Sequence, residues 1–138
     1  MSQALVRAAF ETTLNAWALA QNPVIPIAWE NVVFPRTSAR YLRASLLPGS
    51  SFTQDLLGLH RRYQGLFQVN VCTPAQGGMV AAETLIASLD ALFQPQTAIL
   101  SAGLRVWIIQ PISPAPALSD DTHQIIPVTI QYRADTIS

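Results

Sequence analysis

Between Ile25 and Thr73 the chain runs through three strand-like blocks with no helical segment among them. They read Ile25-Pro-Ile-Ala-Trp-Glu-Asn-Val-Val-Phe34, then Tyr41-Leu-Arg-Ala-Ser-Leu-Leu-Pro48, then Tyr63-Gln-Gly-Leu-Phe-Gln-Val-Asn-Val-Cys-Thr73. Parallel neighbours need a long, usually helical, crossover, whereas strands joined directly pair antiparallel. The order therefore favours a mainly antiparallel sheet. In the first block Ile27, Trp29, Asn31 and Val33 alternate with Ala28, Glu30, Val32 and Phe34, which predicts a strand over 27–34 with both faces partly covered, stopped by Pro35. The second strand is expected over 41–47, ended by Pro48-Gly49. The third, over 61–73, is the clearest, with Phe67, Val69 and Val71 on one side and Gln68, Asn70 and Cys72 on the other. Residues 50–59 read as a loop or an irregular edge.

Helical spacing flanks these blocks. Val6, Phe10, Leu14 and Trp17 recur at intervals of four, four and three, which stacks them on one face of a helix over 3–20. Ser2 is placed to cap it and Asn22-Pro23 to end it. A second helix is predicted over 79–93 from Ala82, Ile86, Leu89 and Phe93, entered through the turn Thr73-Pro74-Ala-Gln-Gly-Gly78. Strands follow at 104–109 and 124–133, the latter aligning Ile126, Val128, Ile130 and Tyr132. The proline-rich segment 111–121 between them reads as a loop. The expectation is one α+β domain over residues 1–138: a mixed or mainly antiparallel sheet with two α-helices packed on it.

Composition narrows the function classes. Charged residues are 12% of the 138, about half the ~25% usual for a soluble domain. Such a chain is expected to hide surface by self-association, since interface centres are depleted in charge. No apolar run reaches the ~20 residues needed to cross a bilayer. Ala18-Leu19-Ala20 looks like a signal-peptidase site, but Glu11, Thr12, Thr13 and Asn15 interrupt the apolar run such a peptide needs, so the segment is read as a helix. A net charge of zero argues against a general nucleic-acid binder. All eight basic residues are arginine, and Arg36, Arg40, Arg43, Arg61 and Arg62 fall within one stretch. Guanidinium groups suit protein interfaces, being planar, bidentate and weakly hydrated. A bias of the source genome would remove lysine equally well, but explains the clustering less easily. These five are the candidate interface residues. The single Cys72 excludes an intramolecular disulfide and fits a reducing cytoplasm.

No catalytic set emerges. Cys72 and His60 would make a nucleophile and base, with Asp55 orienting the histidine, but no motif surrounds Cys72 and its alternating strand suits a packed small residue. Asp120, Asp121 and His123 offer metal-type ligands, yet two acids after Ser119 more often form a solvated turn. Gly77-Gly78 lacks both the G-x-G-x-x-G spacing and the P-loop lysine, so a strand-to-helix turn explains it. Pro111-x-x-Pro114 matches a minimal PPII pattern that a loop explains as well. Neither metal nor organic cofactor is expected.

The blocks taken together resemble a known family. The Ile27-Ala-Trp-Glu-Asn31 segment with Phe34, Tyr41-Leu-Arg43 ending at Leu47-Pro48, and the 65–71 strand are similar to the tail terminator proteins of long-tailed bacteriophages, of the lambda minor tail protein U type. The likeness continues through Thr73-Pro74, Gly77-Gly78, Ser113-Pro114, Asp120-Asp121 and Ile126-Pro-Val-Thr-Ile-Gln-Tyr132, and so spans roughly the whole chain. The resemblance implies a small α+β subunit of a hexameric ring that caps the growing tail tube, stops its polymerisation and offers a head-joining surface. Its implied partners are further copies of itself, the tail-tube protein and a head-completion protein. It implies assembly in the bacterial host cytoplasm and residence in the virion tail, with no membrane and no sequence-specific nucleic acid. The family has no short catalytic motif to transfer. Another neck or head-completion protein, or a small cytoplasmic enzyme using Cys72 and His60, are the alternatives.

Overall fold

The computed structural model describes residues 3–21, 24–35, 39–53, 61–75, 78–101, 104–120 and 122–136. Helix α1 (Gln3–Leu19) leads into β1 (Ile27–Ala28), β2 (Tyr41–Thr53) and β3 (Arg61–Pro74), then α2 (Val80–Leu92). Strands β4 (Ala98–Ser101), β5 (Leu104–Ile108), β6 (Ser113–Pro114), β7 (Leu118–Ser119) and β8 (His123–Thr136) complete the chain. They form one sheet in the order β1-β2-β3-β8-β5-β4, with β6 and β7 also on β8. Pairing is antiparallel except that β1 runs parallel to β2. The fold is the expected α+β arrangement.

Alternation builds the core. Leu42, Ala44 and Leu46 register with Val71, Val69 and Phe67, which in turn face Ile126, Val128 and Ile130. All are buried, and with Val6, Phe10 and Leu14 of α1 and Leu85 and Leu89 of α2 they belong to one hydrophobic cluster. Phe10 stands at its centre. It stacks on Phe67 with ring centroids 4.6 Å apart and meets Tyr132 edge-on at 5.4 Å and Phe93 at 5.9 Å. Two helices and two strands thus meet at one aromatic contact set, each such pair adding about 0.5–1.5 kcal/mol beyond area burial. Trp17 is half-buried, and its indole N–H donates to Ser88 Oγ at 3.1 Å, tying α1 to α2.

Four expectations need correction. The first strand ends at Ala28, because the chain turns at Asn31 (φ 59°) and the Val32 N–H donates back to the Trp29 carbonyl. Asparagine is among the few residues that enter the left-handed region readily. The second strand passes through Pro48-Gly49 to Thr53, with its register shifting between Pro48 and Ser51. A bulge is one place where a strand tolerates proline. Strand β4 lies where no strand was expected. The proline-rich segment, read as a loop, contributes β6 and β7 to the edge of β8. The proposed cap Ser2, the Asn22-Pro23 stop and residues 54–60 lie outside the described residues.

Candidate interaction surfaces

At one edge of the sheet, Glu30 holds the turn that follows β1. Its carboxylate accepts the Leu46 N–H at 2.6 Å and pairs with the Arg7 guanidinium of α1. A side chain thus supplies the acceptor that a longer β1 would have provided to β2. That backbone hydrogen bond, assisted by Arg7, holds the Glu30 carboxyl below its ordinary range, against a smaller opposing effect of partial burial. The turn it anchors projects Val32 and Val33, 60% and 94% exposed.

The four described arginines of the five do not converge. Arg43 is exposed on β2, and Arg40, just before that strand, is half-buried. Arg61 and Arg62 open β3, where their backbones register with Thr53 and Phe52 at the far end of β2. Nine residues of strand separate Arg43 from Phe52, about 30 Å at ~3.3 Å per residue. The cluster is therefore two groups at opposite ends of one strand pair. Arg36 lies outside the described residues.

Of the residues that invite catalytic or metal readings, the described ones, Cys72, Asp120 and His123, make structural contacts. Cys72 is buried; burial pushes its thiol up, and hydrogen bonding to Tyr41 only partly offsets this. A thiol so held is a poor nucleophile. Its suggested partners His60 and Asp55 lie outside the described residues. The His123 ring hydrogen-bonds through Nε2 to the Ala39 carbonyl at 2.9 Å and through Nδ1 to Thr122 Oγ1 at 2.8 Å. A carbonyl only accepts, so Nε2 carries a proton and donates it to Ala39. The ring also packs edge-on against Tyr41, which itself contacts Phe34. Asp120 accepts the backbone N–H groups of His123 and Thr122 at 2.6 and 2.8 Å, and these hold its carboxyl below the usual range. Asp121 is not among the described residues. Among those that are, no three His, Cys, Asp or Glu side chains lie together as a metal would need.

At the opposite edge a groove of about 630 Å³ runs between α2 and the proline-rich strap. Glu83, Ile86, Ala87 and Asp90 line its helix side, at the i, i+3, i+4, i+7 spacing of one helix face. Ile112, Pro114 and Pro116 line the other side. Its charged lining residues are both acidic.

A family model described as phage tail terminator protein matches residues 5–132. The chain belongs to the phage tail terminator family. A role in phage tail assembly follows. A solved structure 41% identical to the chain superposes with a TM-score of 0.82 over 97% of this chain and 96% of its own. No curated protein matches. Within the terminator family, the narrower likeness to the lambda U type is carried by the sequence blocks alone. No helix among the described residues is long and apolar enough to cross a membrane.

Sequence reasoning missed the groove. Its helix face was partly legible, because Ile86 stands on the predicted apolar stripe and the two acids lie seven residues apart. The strap has the sequence of an ordinary proline-rich loop, so nothing in it points to α2 as a neighbour. Gly78, by contrast, follows expectation: it has φ +80° where the chain turns into α2, a conformation that glycine adopts without a Cβ penalty.

Proposed function

We propose that this terminator acts without catalysis, as a self-associating ring of about six subunits that caps the tail tube, stops its polymerisation and presents a surface for joining the head. Family membership across residues 5–132 carries the reading. Two physical features support it. The chain is poor in charge, and Val33, Val80, Leu100 and Leu118 are each more than 60% exposed, apolar surface that association would bury. Cys72, the one candidate nucleophile, is packed in the sheet with a raised thiol pKa.

Sedimentation and light scattering test the first half. The expected particle has about six times the 15.0 kDa mass of one chain. A tail-assembly reaction tests the second: without the protein, tubes should grow past their normal length, and adding it should stop them. A chain that remains monomeric and leaves tube length unchanged would sink the reading. A chain that joins heads while tubes still over-grow would instead be a neck component.

A further inference from the structure

The acidic groove has a matching projection on the same molecule. Its walls are largely apolar, and its charged lining residues, Glu83 and Asp90, are both acids. On the other sheet edge, the turn after β1 presents two aliphatic side chains, Val32 and Val33, with Arg43 exposed on the adjoining strand. Shape and charge are therefore complementary: an apolar tip beside a cation, an apolar trough beside two anions.

The sheet register sets both features at one height. Ala28 is level with Arg43, Arg43 with Asn70, and Asn70 with Pro127. The strap closes that row, since the Ala115 N–H donates to the Pro127 carbonyl at 2.8 Å. Turn and groove thus sit at the two ends of one row across the sheet, about 20 Å apart at ~4.8 Å per strand. They lie on opposite edges, so one copy cannot bring its own pair together, whereas the next copy can.

We propose that the Val32-Val33 turn of one copy seats in the groove between α2 and the strap of the next, with Arg43 brought against Glu83 and Asp90, as the repeating contact of the ring. This rests on the ring reading above and names the two surfaces that meet. Such a contact joins different patches on each subunit, the heterologous kind that closes into a ring when the rotation allows. Side-chain insertion is the mode left open. Pro111, Pro114 and Pro116 carry no N–H, so the strap edge does not add a neighbour's strand along its length. Arginine forks onto carboxylates favourably when water is excluded.

Disulfide trapping tests it directly. In a Cys72→Ser chain, Val33→Cys and Ala87→Cys are introduced singly and together, and mild oxidation is read on a non-reducing gel. The double variant is expected to give a ladder of linked subunits. A mixture of the two single variants should give linked dimers, and each single variant alone should give none. Independently, Val33→Asp should leave the monomer's circular dichroism unchanged while weakening assembly at least tenfold. Linked dimers from Val33→Cys alone would mean turn-to-turn contact and overturn the proposal. So would a ring of normal mass in which the double variant does not link and Val33→Asp still assembles, which would leave the ring reading standing. A wild-type chain that stays monomeric overturns both.

Discussion

At the scale of single residues, Glu30 shows how a charge can take over a strand's task. Its carboxylate accepts a β2 backbone N–H and pairs with Arg7, so one side chain joins the first turn of the chain's sheet edge to α1. Because its folded pKa is lowered, its contribution is present above the unfolded carboxyl value, ~4.3, and is lost as pH falls through the lower folded value. Glu11, also near Arg7, acts the other way: burial raises its pKa, so its protonation on acidification favours the fold. Comparing the wild type with Glu30→Gln leaves the main, burial-driven part of the Glu11 effect common to both chains and removes only the smaller part that Glu30 itself adds. The variant should be less stable at pH 6 by under about 1 kcal/mol, since the pair is partly exposed and screened. That difference should shrink between about pH 5 and pH 3. A gap in melting temperature that stays constant across this range would show that the carboxylate's charge is not what matters.

At the scale of elements, the long strands depend on close backbone approach. Gly65 of β3 lies between Pro48 of β2 and Tyr132 of β8. A Cβ there would stand 2.5 Å from the Leu47 carbonyl oxygen, 2.8 Å from the Gly49 nitrogen and 2.9 Å from the Tyr132 hydroxyl. Two of those atoms are backbone and cannot swing away. Gly65→Ala should therefore cost at least about 1–3 kcal/mol, as overpacking does, read from the denaturant midpoint. An unchanged midpoint would mean that the bulge after Pro48 absorbs the added carbon. Much of this architecture was legible because it rests on local periodicity. Phe10, Leu14, Leu89 and Phe93 lie on helical stripes, and Val69 and Val128 on alternating strands, and all are buried. What was not legible depends on partners distant in sequence. Strand β4 exists through β5, the strap's two short strands through β8, and the end of β1 through a turn that apolar alternation conceals. The groove combines both kinds: its helix face has a sequence signature, but its second wall does not. The arginines are neighbours in sequence, but an antiparallel pair of long strands carries Arg43 and Arg61-Arg62 to opposite ends, a split that the strand order alone already suggests.

At the scale of the whole molecule, that separation assigns the two arginine groups different tasks, and this can be tested. Strands of 13 and 14 residues, β2 and β3, span about 45 Å at ~3.3 Å per residue. The Val33 turn and the α2 groove lie at the Arg43 end of that span, while Arg61 and Arg62 begin β3 at the other. A subunit contact centred on the groove would draw on Arg43 and leave the far end clear of it. The far end would then be available to a different partner, for which the tail tube is the candidate that the family role supplies. The prediction is a split between readouts. Arg43→Glu should weaken ring formation by about 10- to 100-fold, the range for losing one charge-assisted hydrogen-bonded contact, and added salt should weaken the wild-type ring in the same direction. The pair Arg61→Ala with Arg62→Ala should leave the sedimenting mass unchanged and reduce the ability to stop tube growth. If Arg43→Glu assembles normally while the Arg61, Arg62 pair breaks the ring, the subunit contact lies at the opposite end of the sheet. If both variants assemble and terminate tails as the wild type does, the arginines are solvated surface, where ion pairs contribute only ~0–1 kcal/mol, and the ring must be held by apolar contacts alone.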